Sequence, residues 1–153
     1  MIAPLHALPD PEPVLRRVEA QGIVVARATM GDLTPIRTFI LAHFTQVWAD
    51  SVFAGLSHRP ATVFTARDGE TIVGFGSHSG NRPGIFGPLG VHPDHRGRDI
   101  GTALLFQCLL DLRAAGYVYA IIGQVGPAAF YEKTCGAMLL PAEWPHSGTP
   151  QRL

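Results

Sequence analysis

Residues 89–105 read Leu-Gly-Val-His-Pro-Asp-His-Arg-Gly-Arg-Asp-Ile-Gly-Thr-Ala-Leu-Leu, and this stretch decides the fold. A short apolar strand, Leu89-Gly90-Val91, runs into Pro93. A basic, glycine-containing turn follows, and a long amphipathic helix opens at about Gly101. The first turn of a helix has N–H groups without carbonyl partners, and the helix dipole puts partial positive charge at the same point. A turn that feeds straight into a helix start therefore suits a phosphate or diphosphate. Arg96 and Arg98 add guanidinium groups that can pair with phosphate oxygens. The candidate anion site is Arg96, Gly97, Arg98, Asp99, Ile100, Gly101 and Thr102.

Upstream, residues 85–91 read as a strand interrupted by Gly87-Pro88. Proline cannot donate to a sheet ladder, so a bulge or a break in pairing belongs there. Leu89, Gly90 and Val91 then offer backbone groups to an extended ligand lying along that edge. Residues 62–66 and 71–77 form two strands around Asp68-Gly69, a strong hairpin signal. Residues 22–28 form an earlier strand. A helix starts at Asp32 or Thr34, and residues 44–53 form a second, irregular one. Downstream, residues 102–115 make the strongest helix, with Leu105, Cys108, Leu109 and Leu112 on one face and Gly116 as its C-cap. Residues 117–122 are apolar on both faces and read as a central strand. Residues 127–133 read as a short helix and residues 137–140 as a last strand.

Residues 1–21 carry four prolines in the first thirteen positions and read as a peripheral, extended lead-in with a short helix over 14–20. Residues 22–153 read as a single domain. Of the 153 residues 46% are apolar, enough for a real core. Twelve acids balance twelve bases, which argues against a nucleic-acid binder. No apolar run approaches membrane-spanning length, and Met1 to Asp10 lacks the basic start of a secretory signal. Cys108 and Cys135 form no CxxC pair, as expected of core thiols in a reducing cytoplasm. Pro93 separates His92 from His95, so no metal site is expected.

Several further pieces follow in a set order. Arg27-Ala28-Thr29, Asp32-Leu33 and Ile36 come first, then Asp68-Gly69 and Ile72-Val73-Gly74-Phe75. The phosphate turn follows, then Phe130-Tyr131-Glu132-Lys133 and Gly136-Ala137. Over residues 23–140 this order resembles the GNAT superfamily of acetyl-CoA-dependent N-acetyltransferases. The resemblance implies an α/β (α+β) fold: a mixed central sheet of six to seven strands flanked by about four helices, splayed between the fourth and fifth strands. It implies direct transfer of an acetyl group from acetyl-CoA to the primary amine of a small molecule, with no metal. It also implies no nucleic-acid or membrane partner, and a homodimer is in keeping with it. The wording around Gly87-Pro88-Leu89-Gly90 and Phe130-Tyr131-Glu132 is similar to bacterial members, some of them tandem-domain proteins acting on amino sugars.

The resemblance gives Tyr131 the position of the group that donates to the leaving thiolate. It gives Gln124, where the family often has Asn, a bond to a pantetheine amide. Asp99 stands where the family's turn has glycine. Its carboxylate, about 6 Å from a diphosphate, would cost about 1–3 kcal/mol at effective dielectrics between 80 and 20. Asp tolerates the left-handed backbone a glycine would supply, and as an N-cap it would bond the N–H of Gly101 or Thr102. Residues 85–91 carry no acid, although this strand often holds the family's catalytic glutamate. His78, His92 and Glu70 remain as proton acceptors, and His78 is taken as the catalytic one beside Tyr131. Trp48, Phe53, His58 and Trp144 are the candidate acceptor lining. Without a base, the alternative is a non-catalytic acyl-CoA-binding or sensing module. The chain has neither GxGxxG after its first strand nor a GK[ST] turn, which removes the Rossmann and P-loop readings.

Overall fold

The helix predicted at the centre of the chain forms over Ile100–Ala114, and Leu104, Leu105, Cys108, Leu109 and Leu112 on it are fully buried. What they bury against is a six-stranded sheet. The computed structural model describes residues 1–123 and 125–140. In chain order its elements are β1 (Ile2–Pro4), α1 (Glu12–Glu19), β2 (Ile23–Arg27), α2 (Leu33–His43) and α3 (Gln46–Leu56). Then come β3 (Val63–Asp68), β4 (Thr71–His78), β5 (Ile85–Val91), α4 (Ile100–Ala114), β6 (Tyr119–Ile122) and α5 (Ala128–Cys135). The strand order is β1-β6-β5-β4-β3-β2, antiparallel throughout except for the parallel β5–β6 pair.

One core cluster joins α4, α1 and α5 to one face of the sheet; a second joins α2 and α3 to the other. Alternation along β4 decides which side chains meet which helix. A Cβ on Gly76 would lie 3.2 Å from Cys108 Sγ, so α4 rests directly on the bare strand there. Gly90 faces the opposite layer, where a Cβ would lie 2.6 Å from the Phe44 ring and 2.8 Å from Phe75. Only glycine lets that ring cluster close on β5.

The break expected at Gly87-Pro88 is present. Gly76 pairs with Leu89 and His78 with Phe86, so Ser77 alone opposes Gly87 and Pro88. β6 pairs with β5 only at Ile85–Ile121 and Phe86–Ile122; beyond Phe86 the two parallel strands part. This is the expected splay: β1, which the sequence did not predict, makes the fourth and fifth strands of that reading β5 and β6, and the mixed sheet matches the fold class read from the sequence.

Several local expectations need correction. Residues 1–21 are not a loose lead-in. Ile2–Pro4 is a sheet strand paired with β6, and Ala3 and Leu5 are fully buried in the α4-side core. The helix over 46–56 is regular, which brings the α-helices to five among the described residues. Tyr119 and Ile121 are about half exposed while Ala120 and Ile122 are buried, so β6 is covered on one face only. The strand expected over 137–140 reduces to one bridge, Met138 to Ile2. Among the described residues no helix is long and apolar enough to cross a membrane, and no cluster of metal-ligating side chains occurs.

Candidate active site

The phosphate turn sits at the start of α4, against the edge of β5. Arg96 N donates to Pro93 O, and the first bond of the helix runs from Ala103 N to Asp99 O, 3.0 Å. Between them, the N–H groups of residues 97–102 donate no hydrogen bond among the described residues. Gly97, Asp99, Ile100, Gly101 and Thr102 line a cavity of about 340 Å³ together with Val91, His95, Arg96 and Phe130. Phe130 comes from α5, so the site is assembled from three elements. A larger groove of about 520 Å³ runs between α2 and α3, but none of the predicted cofactor residues reaches it.

The backbone beside this cavity is prepared in the same way. His92 N donates to Val73 O, which makes 92–73 a hydrogen-bonded pair of the antiparallel ladder. By alternation Gly90 also bonds toward β4, while Leu89 and Val91 turn their N–H and C=O groups to the other side. That side is the splay, where β6 has already departed. Arg96 Nε reaches Val91 O at 3.4 Å, joining this edge to the turn.

Asp99 has φ 60 and ψ 4, the left-handed conformation the sequence position demanded. Its expected cap bond is absent. The carboxylate instead accepts from Arg17 Nε on α1 at 2.9 Å, while Asp99 also lines the cavity. Arg98 is diverted from the anion site. Its Nε donates to Gln21 Oε1 at 3.0 Å, and one terminal nitrogen donates to His95 Nδ1 at 2.8 Å. Of the two predicted arginines, Arg96 alone stays on the cavity wall.

Tyr131, on α5, is buried; its ring packs edge-on against Phe86 at 6.1 Å and against Phe130 at 5.0 Å. Phe86 is the last β5 residue paired with β6, so Tyr131 stands where the splay opens. Its hydroxyl makes no hydrogen bond among the described residues, yet it is not a sealed, unsatisfied group. Burial pushes its pKa up, which keeps the phenol protonated and donating at neutral pH.

The proton acceptors read from the sequence are not brought to this point. His78 is buried on the α4 face, with Nε2 2.8 Å from Asp111 Oδ2 and Nδ1 3.1 Å from Ser79 Oγ. Its cross-strand neighbour Phe86 stands between it and Tyr131. Both ring nitrogens are hydrogen-bonded within the fold. Burial lowers its pKa, partly countered by Asp111. His92 accepts from Asp94 N through Nδ1, which leaves its proton on Nε2, and its ring packs on His43 at 4.4 Å. Glu70 is exposed in the β3–β4 turn.

Asp111 was not singled out by its sequence context, yet it organises the far end of α4. It accepts from both terminal nitrogens of Arg27 and from His78. Burial raises its pKa, but the bonds from Arg27 and His78 more than offset this and hold the carboxyl below its usual range. The expected acceptor lining is described at three of its four positions. Trp48 stacks on Phe44 at 5.1 Å, Phe53 lines the α2–α3 groove, and His58 is exposed beyond α3. Gln124 and Trp144 lie outside the described residues.

Comparison with known proteins agrees with this architecture. The sequence profile described as the acetyltransferase (GNAT) family matches residues 31–137. A glucosamine N-acetyltransferase region of a fungal multi-domain β-N-acetylglucosaminidase superposes with a TM-score of 0.71, at 17% identity over 88% of this chain. The chain spans 19% of that protein. A GNAT family acetyltransferase from Brucella melitensis, in complex with acetyl-CoA, gives 0.53 at 22% identity, covering 71% of this chain and 80% of the other. YhbS from Escherichia coli, in complex with CoA, gives 0.57 at 18% identity, covering 73% and 67%. At these identities the likeness is one of fold. No curated protein matches the chain.

Proposed function

The chain belongs to the GNAT acetyltransferase family, and from that premise we propose that it transfers an acetyl group from acetyl-CoA directly to the primary amine of a small molecule. The observation that carries this reading is the row of N–H groups at 97–102 with no partner among the described residues, at the positive end of α4 and beside Arg96. These donors fit a diphosphate, and the outward groups of Leu89 and Val91 fit the amides of a pantetheine arm added as an extra strand. Acetyl-CoA bound there supplies an acyl group activated as a thioester.

The chain's own residues do the rest. The turn and the β5 edge fix the donor in place, which removes much of the entropic barrier to the transfer. The Leu89 N–H, aimed into the splay, is suited to an oxyanion. Tyr131 donates a hydrogen bond to the leaving sulfur. An ordinary phenol, with a pKa near 10, holds its proton more tightly than a thiol near 8.5, and burial widens that gap. Tyr131 therefore stabilises a thiolate and does not surrender its proton. With His78, His92 and Glu70 all otherwise placed, the acceptor enters as its neutral amine, and the proton it loses on forming the amide passes to the departing thiolate, which leaves as the thiol of CoA. The rate then rises with pH until the acceptor's own amine is deprotonated.

Purified protein is incubated with acetyl-CoA and a panel of small amines, glucosamine among them because of the fungal relative, and thiol release is followed. Turnover on a small amine is the expected result. Tight CoA binding without turnover on any amine would establish the sensing module instead, a reading favoured by the lack of a committed base among the described residues.

A further inference from the structure

The N-terminal helix α1 and the turn that follows it touch the phosphate turn at two consecutive residues, Arg98 and Asp99. Arg17 pairs with Asp99 at 2.9 Å, with its guanidinium also bonded to Pro13 O at 3.2 Å. Gln21, one turn further, accepts from Arg98 Nε and donates to Arg98 O at 3.4 Å. Asp99 is there for its backbone: among side-chain-bearing residues Asp and Asn tolerate φ 60 best. The charge that comes with it is a liability beside a diphosphate.

We propose that α1 is a working part of the cofactor site. Arg17 holds the Asp99 carboxylate and cancels its charge, so that a diphosphate meets the N–H groups of 97–102 without facing an unpaired anion. Gln21 does the matching task for the backbone of the turn, holding Arg98 on the outer side. Arg17 is a positioning residue, acting through Asp99. The inference rests on the acetyl-CoA reading above and extends it to a segment outside the family match at 31–137.

The test is a charge cycle read by calorimetry with CoA as the probe, on the full chain. In the wild type the Asp99 and Arg17 charges cancel. Arg17→Gln leaves one net negative charge near the diphosphate; Asp99→Asn leaves one net positive charge and keeps a residue suited to the left-handed backbone. A unit charge about 6 Å away shifts affinity about three- to 100-fold across plausible dielectrics, and the exposure of this pair points to the lower end. Arg17→Gln is expected to weaken CoA binding about three- to tenfold. Asp99→Asn should strengthen it by a similar factor, and the double variant should return to within about twofold of wild type. All these differences should shrink in high salt.

A merely structural role for Arg17 predicts a double variant at least as weak as Arg17→Gln, and that result would overturn the proposal. So would unchanged affinity in both single variants. Asp99→Asn keeps the test decisive even where Arg17→Gln folds poorly, since a gain of affinity does not come from misfolding. Absence of CoA binding by the wild type takes down the acetyl-CoA reading and this inference together. Wild-type binding without the charge pattern removes the inference alone.

Discussion

Asp111→Ala is the most informative perturbation of stability. The Asp111 side chain is 17% exposed, that of His78 4% and that of Arg27 35%. Removing the carboxylate leaves Arg27 without its bidentate partner and His78 Nε2 without its acceptor, in a region that excludes most water. Deleting one partner of a buried ion pair costs about 3–5 kcal/mol. Arg27 is a third exposed and keeps its bond to Ala61 O and its place over the Phe64 ring, which lowers the figure. Alanine also gains about 0.5 kcal/mol as a helix former. A net loss of about 2–3 kcal/mol follows, or a fall in Tm of about 4–12 °C for a chain of this size. Urea unfolding followed by circular dichroism measures it, with the slope m compared to confirm a two-state transition. Replacing Arg27 with Met in the same chain should recover part of the loss, because the uncompensated charge goes with it. A loss below about 1 kcal/mol with unchanged m, or no recovery in the double variant, would refute this account of the cluster.

Further outcomes follow from the same geometry. Stability should fall as the pH drops below about 6.5. His78 has a lowered pKa in the fold, so the unfolded chain takes up its proton first; the contribution is complete above about 6.5 and is lost as pH falls, by at most about 1.4 kcal/mol per pH unit. Asp111, also lowered, loses its contribution only below its ordinary range near pH 4, so urea midpoints of His78→Gln should vary less over the upper window. Tyr131→Phe should reduce kcat about 10- to 100-fold while calorimetric CoA affinity stays constant; unchanged kcat would remove its role at the thiolate. Gly90→Ala should cost about 1–3 kcal/mol in urea unfolding, because its new methyl meets the rings of Phe44 and Phe75.

What the sequence disclosed was the part of each contact that neighbours along the chain can write. The turn at 96–102, the hairpin at Asp68-Gly69 and the bulge at Gly87-Pro88 depend on residues within a few positions of one another, and each formed as read. The left-handed backbone of Asp99 was legible for the same reason. The direction of its side chain was not, because Arg17 lies 82 positions earlier. His78 ended a strand beside the site and looked available; Asp111, 33 residues on, claims one nitrogen and Ser79 the other. β1 was hidden by its brevity and by Pro4, since three residues without alternation carry no strand signal. Phe86, expected only as a strand residue, separates His78 from Tyr131, a detail set by cross-strand register rather than by either sequence alone.

The pairing of Ile2 with Ile121 has a consequence for how the molecule is made. A ribosome releases the first strand more than a hundred residues before its partner exists. Until then Ala3 and Leu5 have no β6 neighbour, and the nascent chain must hold an apolar segment apart from other chains. Closing so long a loop is slow compared with forming the β3–β4 hairpin. This edge strand is therefore made long before its partner and is among the last to dock, and crowded or fast expression should expose this edge to aggregation.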